Sequence, residues 1–262
     1  MPDLTVDISD HIATVTLDRP PVNAITRDTM AEIRDVFASF AEQRDVRVAI
    51  FTAAGDRAFM GGVDLRSAAA AGGGAEAELP PTLVIDPSRV ARDAMWAITD
   101  CAVPVIGAIN GPALGAGLAY AACCDILLAS DNARFGTTEI NVGLLGASAH
   151  LSTLVGRHKA RELYFTGEQI SADELYRLGA LRAVVPRAEL GAAARELASA
   201  LAKKSPIALR LAKESMNRVE GLPLKDGYRI EQEYTAKLQR FEDSAEARDA
   251  YLDKREPEWR WR

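Results

Sequence analysis

The chain has 262 residues, 48% of them hydrophobic and 26% charged, enough for one large domain or two small ones and too apolar for a disordered or collagen-like protein. Thirty-one Lys and Arg stand against 37 Asp and Glu, a net charge of −6, so nucleic acid is not an expected partner and a polyanionic ligand needs a local cluster of cations. Three cysteines, two of them adjacent (Cys123, Cys124), make no disulfide framework and suit a reducing compartment; the cytoplasm is expected.

The first ten residues have no basic stretch followed by an apolar one, so no secretory signal is expected. Residues 4–17 alternate in polarity and predict a hairpin turning at Ser9-Asp10, with His11 in the turn. Asp18-Arg19-Pro20-Pro21 ends it. Thr26 is the expected N-cap of a helix carrying Met30, Ile33, Phe37 and Phe40 on one face. Val46 to Thr52 predicts a buried strand, and Ala53 to Leu65 a glycine-rich loop. Residues 67–84, which include a run of alanines and glycines, predict a mobile surface segment. A helix over 87–100 follows.

From Cys101 to Cys124 no residue is charged, a length that would span a bilayer. Pro104, Asn110-Gly111-Pro112, Gly115 and Gly117 break it, so a buried strand (103–109), a tight loop and a short helix (116–123) are predicted instead of a membrane span. Ile126 to Ala129 is a further strand, and residues 133–136 start a loop towards Glu139. Ser171 to Glu174 fits a capping box, with Gly179 ending that helix. A strand over 181–185 follows. Ser205-Pro206 opens the first of three helices, over 206–218, about 223–240 and 245–254. The pattern predicts an α/β core over 1–204 and a helical segment over 205–262.

The three histidines, His11, His150 and His158, have no metal-ligand spacing, and no Cys-x-x-Cys, phosphate-binding loop or nucleophile elbow is present; no metal is expected. What remains is two glycine-containing turns after buried strands, AFMGGVDL (58–65) and INGPALGAG (109–117). Such turns let a ligand approach the backbone closely, and N–H groups from both can converge on one oxygen. Equally, the glycines serve simply to make tight turns.

In their order and spacing these motifs resemble the crotonase superfamily, the enoyl-CoA hydratase/isomerase family, over nearly the whole chain. The matching stretches are Arg19-Pro20 through Val22-Asn23-Ala24, the two glycine turns, and Cys124-Asp125. After these come Ala133-Arg134-Phe135-Gly136 with Glu139, and Phe241 through Pro257. The resemblance implies an α/β crotonase-like ββα spiral core with a helical C-terminal oligomerisation segment, as a homotrimer or dimer of trimers. It implies an acyl-CoA thioester as substrate, with no separate cofactor, and an oxyanion hole made by the N–H groups of Met60 and Ala116. Glu139 is the implied acid/base, held partly dry by Phe135, Ile140 and Val142. Val22, Ala24, Ala58, Lys254 and Arg255 are the implied coenzyme A contacts, the last two as cations for the phosphates. Two departures matter. Hydratases of the family carry a second glutamate where this chain has Ala119, and the loop after Glu139 reads Gly146-Ala147-Ser148-Ala149-His150 in place of Pro-Gly-x-Gly-Gly. His150 is a possible second polar group. A single carboxylate favours isomerase-type chemistry through a thioester enolate. Alternatives are true hydration, decarboxylation or C–C cleavage of a CoA thioester, and a noncatalytic CoA- or RNA-binding relative. Asp125 is expected to be structural.

Overall fold

In a computed structural model, which describes residues 2–64, 66 and 80–262, the N-terminal hairpin is formed by β1 (Leu4–Ser9) and β2 (Ile12–Leu17). Its two-residue turn is Asp10-His11, one position later than the alternation suggests. Both residues have positive φ, 51° and 65°, as the favoured hairpin turns require. β2 then pairs in parallel with β3 (Val48–Ala53), and β3 with β4 (Val105–Ile109). β6 (Ile126–Ser130) and β9 (Ala183–Val185) extend the sheet, giving the order β1-β2-β3-β4-β6-β9. Helices cover both faces, which explains why β3 and β4 read as continuous apolar runs. Ile33 and Phe37 of the Arg27–Ser39 helix and Ala94 and Ile98 of the Arg89–Thr99 helix enter the main core. Leu190, Ala194, Ala198 and Ala202 of the Leu190–Ala202 helix pack on the opposite face at a four-residue spacing.

Thr26 caps the first helix as expected, accepting from the N–H of Thr29 while the Thr29 hydroxyl accepts from the N–H of Thr26. Only half of the box at Ser171 forms. Its hydroxyl accepts from the N–H of Glu174, but the Glu174 carboxylate turns outward to Arg177 at 2.7 Å. The mobile segment expected over 67–84 falls mostly outside the described residues, and its last part belongs to a short helix, Pro81–Ile85.

The uncharged stretch forms β4, a turn and the helix Ala116–Ala122, with an additional two-residue strand, β5 (Ala113–Leu114), in the turn. β5 belongs to a second, small sheet with β7 (Arg134–Gly136) and β8 (Ile170–Ser171). Residues 134–136, expected as the start of a loop, are therefore a strand. Ala113 pairs with Phe135 and Leu114 with Gly136, so the loop after β7 is delivered beside the loop after β5. No described helix is long and apolar enough to cross a membrane.

The C-terminal segment consists of the helices Pro206–Val219, Leu224–Leu238 and Glu242–Asp253, with a satellite core of Ile207, Leu211 and Tyr234. Lys213 ties it to the core. Its buried ammonium donates to the carbonyls of Ile98 and Val103 and to Asp125 at 2.7 Å. Asp125 also accepts the N–H of Val105 at 2.7 Å, a structural role. The architecture is the expected α/β core with a helical C-terminal segment.

Candidate active site

The first glycine turn is held by a side chain. Asn23, 3% exposed, donates to the carbonyls of Ala54 and Ala58 and accepts from the N–H of Arg19. Beyond it, residues 22–25 and 61–64 run side by side. The N–H of Gly61 donates to Val22, that of Ile25 to Gly62, and that of Asp64 to Ile25, each at 2.9 Å. Successive peptide groups of an extended strip face opposite sides. The N–H of Val63 therefore points away from Ile25, and no described residue accepts it.

The second turn is zipped to the first. The N–H groups of Phe59 and Met60 both donate to the carbonyl of Pro112, and that of Leu114 donates to Met60. Two glycines permit the approach. Gly62 has φ 103°, and a Cβ on it would lie 3.3 Å from the Leu114 carbonyl and 3.9 Å from the Ala116 nitrogen. A Cβ on Gly117 would run into the Met60 carbonyl. Ala116 opens its helix, so its N–H has no acceptor within the helix, and no other described residue supplies one. Two unsatisfied N–H groups, those of Val63 and Ala116, are thus brought to the wall of one cavity of about 520 Å³.

This corrects the expected donor pair. Met60 is fully buried and its N–H is bonded to Pro112 at 3.2 Å, so it has none to offer. Val63, three residues on, lines the cavity. The sequence holds a partial signal, since Val63 follows the glycine at positive φ. Which peptide faces outward is fixed only by the pairing with Val22 and Ile25.

Glu139 lines the same cavity at the start of a single 3-10 turn, Glu139–Val142, delivered by β7. Its carboxylate lies in a slot between two glycines. A Cβ at Gly115 would sit 3.0 Å from its Oε1, and one at Gly146 2.6 Å. The other oxygen, Oε2, is buried without a hydrogen-bond partner. Tyr164 fixes the slot by accepting the N–H of Gly146 at 3.2 Å. Phe135 is buried and Val142 lines the cavity, but Ile140, expected to shield Glu139, is exposed and lines no part of it. Ala119, one helical turn after Ala116, presents a methyl group to the cavity. His150, in the first turn of the Ser148–Val155 helix, lines it too, and burial pushes its imidazole below the ordinary histidine value.

Val22 and Ala24 line a second cavity of about 590 Å³ with Arg19, Val63 and Arg66, so Val63 stands where the two cavities meet. The remaining expected coenzyme A contacts lie elsewhere. Ala58 is 5% exposed and its carbonyl is taken by Asn23. Lys254 and Arg255 line neither cavity; Lys254 ends the Glu242–Asp253 helix, and Arg255 is held by Glu246 through bonds of 2.6 and 2.9 Å.

An α/β core that brings two peptide N–H groups without protein acceptors to the same cavity as a half-buried glutamate, one of whose carboxylate oxygens is buried and unpartnered, defines a class of site able to hold an oxyanion beside an acid/base. Residues 7–262 match the family described as Enoyl-CoA hydratase/isomerase. A hydrolase of (7aS)-7a-methyl-1,5-dioxo-2,3,5,6,7,7a-hexahydro-1H-indene-carboxyl-CoA from Rhodococcus jostii (strain RHA1) is 38% identical, covering 95% of this chain and 93% of its own. A short-chain-enoyl-CoA hydratase from Clostridium acetobutylicum is 32% identical, covering 94% and 93%. The crystal structure of an enoyl-CoA hydratase from Bacillus anthracis superposes with a TM-score of 0.88 at 30% identity, covering 98% of each chain. The chain belongs to the enoyl-CoA hydratase/isomerase family, the crotonase superfamily.

Proposed function

We propose that this protein is an enzyme acting on an acyl-CoA thioester through a thioester enolate, with one carboxylate. The observation that carries the reading is Glu139, whose buried, unpartnered Oε2 shares a cavity with the free N–H groups of Val63 and Ala116. The thioester oxygen lies between those donors, the nucleotide leads away past Val22 and Ala24, and the acyl group fills the cavity. Glu139 takes a proton from the α-carbon, and the electron pair moves onto the thioester oxygen. Each N–H is worth roughly a hundredfold to a thousandfold in rate as charge develops there. The same carboxyl group returns the proton at the γ-carbon, which shifts the double bond. Hydration by paired carboxylates is disfavoured, because Ala119 has no ionisable group.

A second one-base reading, hydrolytic C–C cleavage, is favoured by the identity to the Rhodococcus jostii hydrolase. There Glu139 takes a proton from water and the hydroxide adds to a carbonyl β to the thioester. The Cα–Cβ bond breaks, its electron pair forms the enolate in the same hole, and Glu139 protonates the α-carbon.

The test is a panel of CoA thioesters followed by mass spectrometry and absorbance. Isomerisation leaves the mass unchanged and shifts the absorbance of a 3-enoyl-CoA; cleavage of a cyclic β-oxo thioester adds the mass of water and opens the ring. Rapid hydration of crotonyl-CoA, at the turnover of two-glutamate hydratases, would overturn the one-carboxylate reading.

A further inference from the structure

The acyl cavity carries a polar side chain that neither reaction above uses. The His150 ring makes no hydrogen bond to any described residue, yet it is partly buried and lines the cavity. The cavity that it lines is mostly apolar, with Met95, Val142, Leu144, Leu145, Ala119 and Ala147, and its polar side chains besides His150 are those of Thr138 and Glu139. A polar ring partly withdrawn from water without a partner is costly, and a bound group that supplies the partner recovers that cost. The thioester oxygen is already accounted for by Val63 and Ala116. Glu139 is committed to proton transfer. The two alanines keep side-chain volume out of the space, which suits a branched or cyclic acyl group.

We infer that His150 is a specificity-determining residue that hydrogen-bonds a second oxygen on the acyl group, so the substrate class is an oxygenated acyl-CoA, bearing a keto or hydroxyl group, and not a plain hydrocarbon acyl-CoA. The inference rests on the reading that this cavity holds the acyl group. A largely neutral imidazole, which burial favours, donates to a ketone and either donates to or accepts from a hydroxyl. It gives a carboxylate no charge to pair with. A site built around a substrate oxygen discriminates far more strongly against the analogue that lacks it than an apolar pocket does against a missing methylene.

Equilibrium binding to Glu139→Gln protein, which separates recognition from turnover, tests this. The probes are cyclohexanecarboxyl-CoA and oxocyclohexanecarboxyl-CoA with the ketone at each ring position in turn. At one ring position at least, the oxo thioester is expected to bind about a hundredfold more tightly than the hydrocarbon. Adding His150→Phe is expected to collapse that ratio to within about threefold, and His150→Gln, which keeps a donor, to restore part of it. Equal binding of every oxo thioester and the hydrocarbon, or a ratio that survives His150→Phe, overturns the inference while the acyl-CoA reading stands. Failure to bind any of these thioesters overturns both.

Discussion

Gly115 and Gly146 decide where the Glu139 carboxylate sits, because a Cβ on either would occupy its space. Gly115 has φ 56°, so substitution there also strains the backbone. Gly146 does not have a positive φ, which makes it the cleaner probe. Gly146→Ala is expected to displace Oε1, now 2.6 Å from the added Cβ, and to lower turnover by about a hundredfold, as a misplacement of ~1 Å does. The melting temperature should stay close to wild type; unchanged turnover would show that the slot does not set the geometry. Glu139→Gln keeps the size of the side chain and removes its proton chemistry. Turnover should fall by at least about a hundredfold with thioester affinity held within a few-fold, measured by steady-state kinetics and calorimetry. Glu139 is legible in the sequence because it follows Phe135-Gly136 at a recognisable spacing. Which N–H of the first turn stays free is not, because Met60 and Val63 differ only in which side of an extended strip their peptides face, and that depends on pairing with residues 22–25.

At the scale of elements, the helix Arg27–Ser39 and the strand β4 are legible in the sequence, whereas the periodic helix Leu190–Ala202 and the two-residue strands are not among the expected elements. The heptad-like apolar face of Arg27–Ser39 and the unbroken apolar run of β4 are properties of their own residues. β5 and β8 have two residues each and exist only because β7 lies between them. Yet this small sheet is what carries Glu139 to Ala116. The helical C-terminal segment is attached to the core by the same kind of non-local contact, that of Lys213 with Asp125. The Lys213 side chain is 4% exposed and that of Asp125 29%, so the two partners are not equivalent. Asp125→Ala leaves a buried ammonium with carbonyl acceptors only and frees the N–H of Val105. The expected loss is about 3 kcal/mol, since removing one partner of a buried pair strands the other. Lys213→Met leaves a carboxylate that water can still reach, and should cost less. Urea melts of both variants check the order; the reverse order would mean that the ammonium is satisfied by its two carbonyls.

For the molecule as a whole, charge sets the next constraint. On the proposed function, a chain of net charge −6 needs local cations for the phosphates of coenzyme A. Near the cavities, Arg19 is paired with Asp3 and Asp64, while Arg66 is exposed at the mouth. Lys254 and Arg255 line neither cavity of this chain, and Arg255 is bound to Glu246. If they meet the phosphates, it is in a second copy of the chain, where the terminal helices of one protomer would complete the site of the next. Pairing a CoA thioester with the corresponding pantetheine thioester, which has the same acyl group and no nucleotide phosphates, isolates that contribution. The double substitution Lys254→Ala/Arg255→Ala is expected to raise KM for the CoA thioester by about tenfold, the equivalent of ~1.4 kcal/mol of phosphate binding, and to leave KM for the pantetheine thioester within a few-fold. The wild-type KM for the CoA thioester should also rise more steeply with salt than that of its pantetheine partner, because exposed charge contacts are screened. Equal effects on both thioesters would mean that the terminal helix acts through folding or assembly, and no effect on either would place the phosphate cations at Arg19 and Arg66 of the same chain.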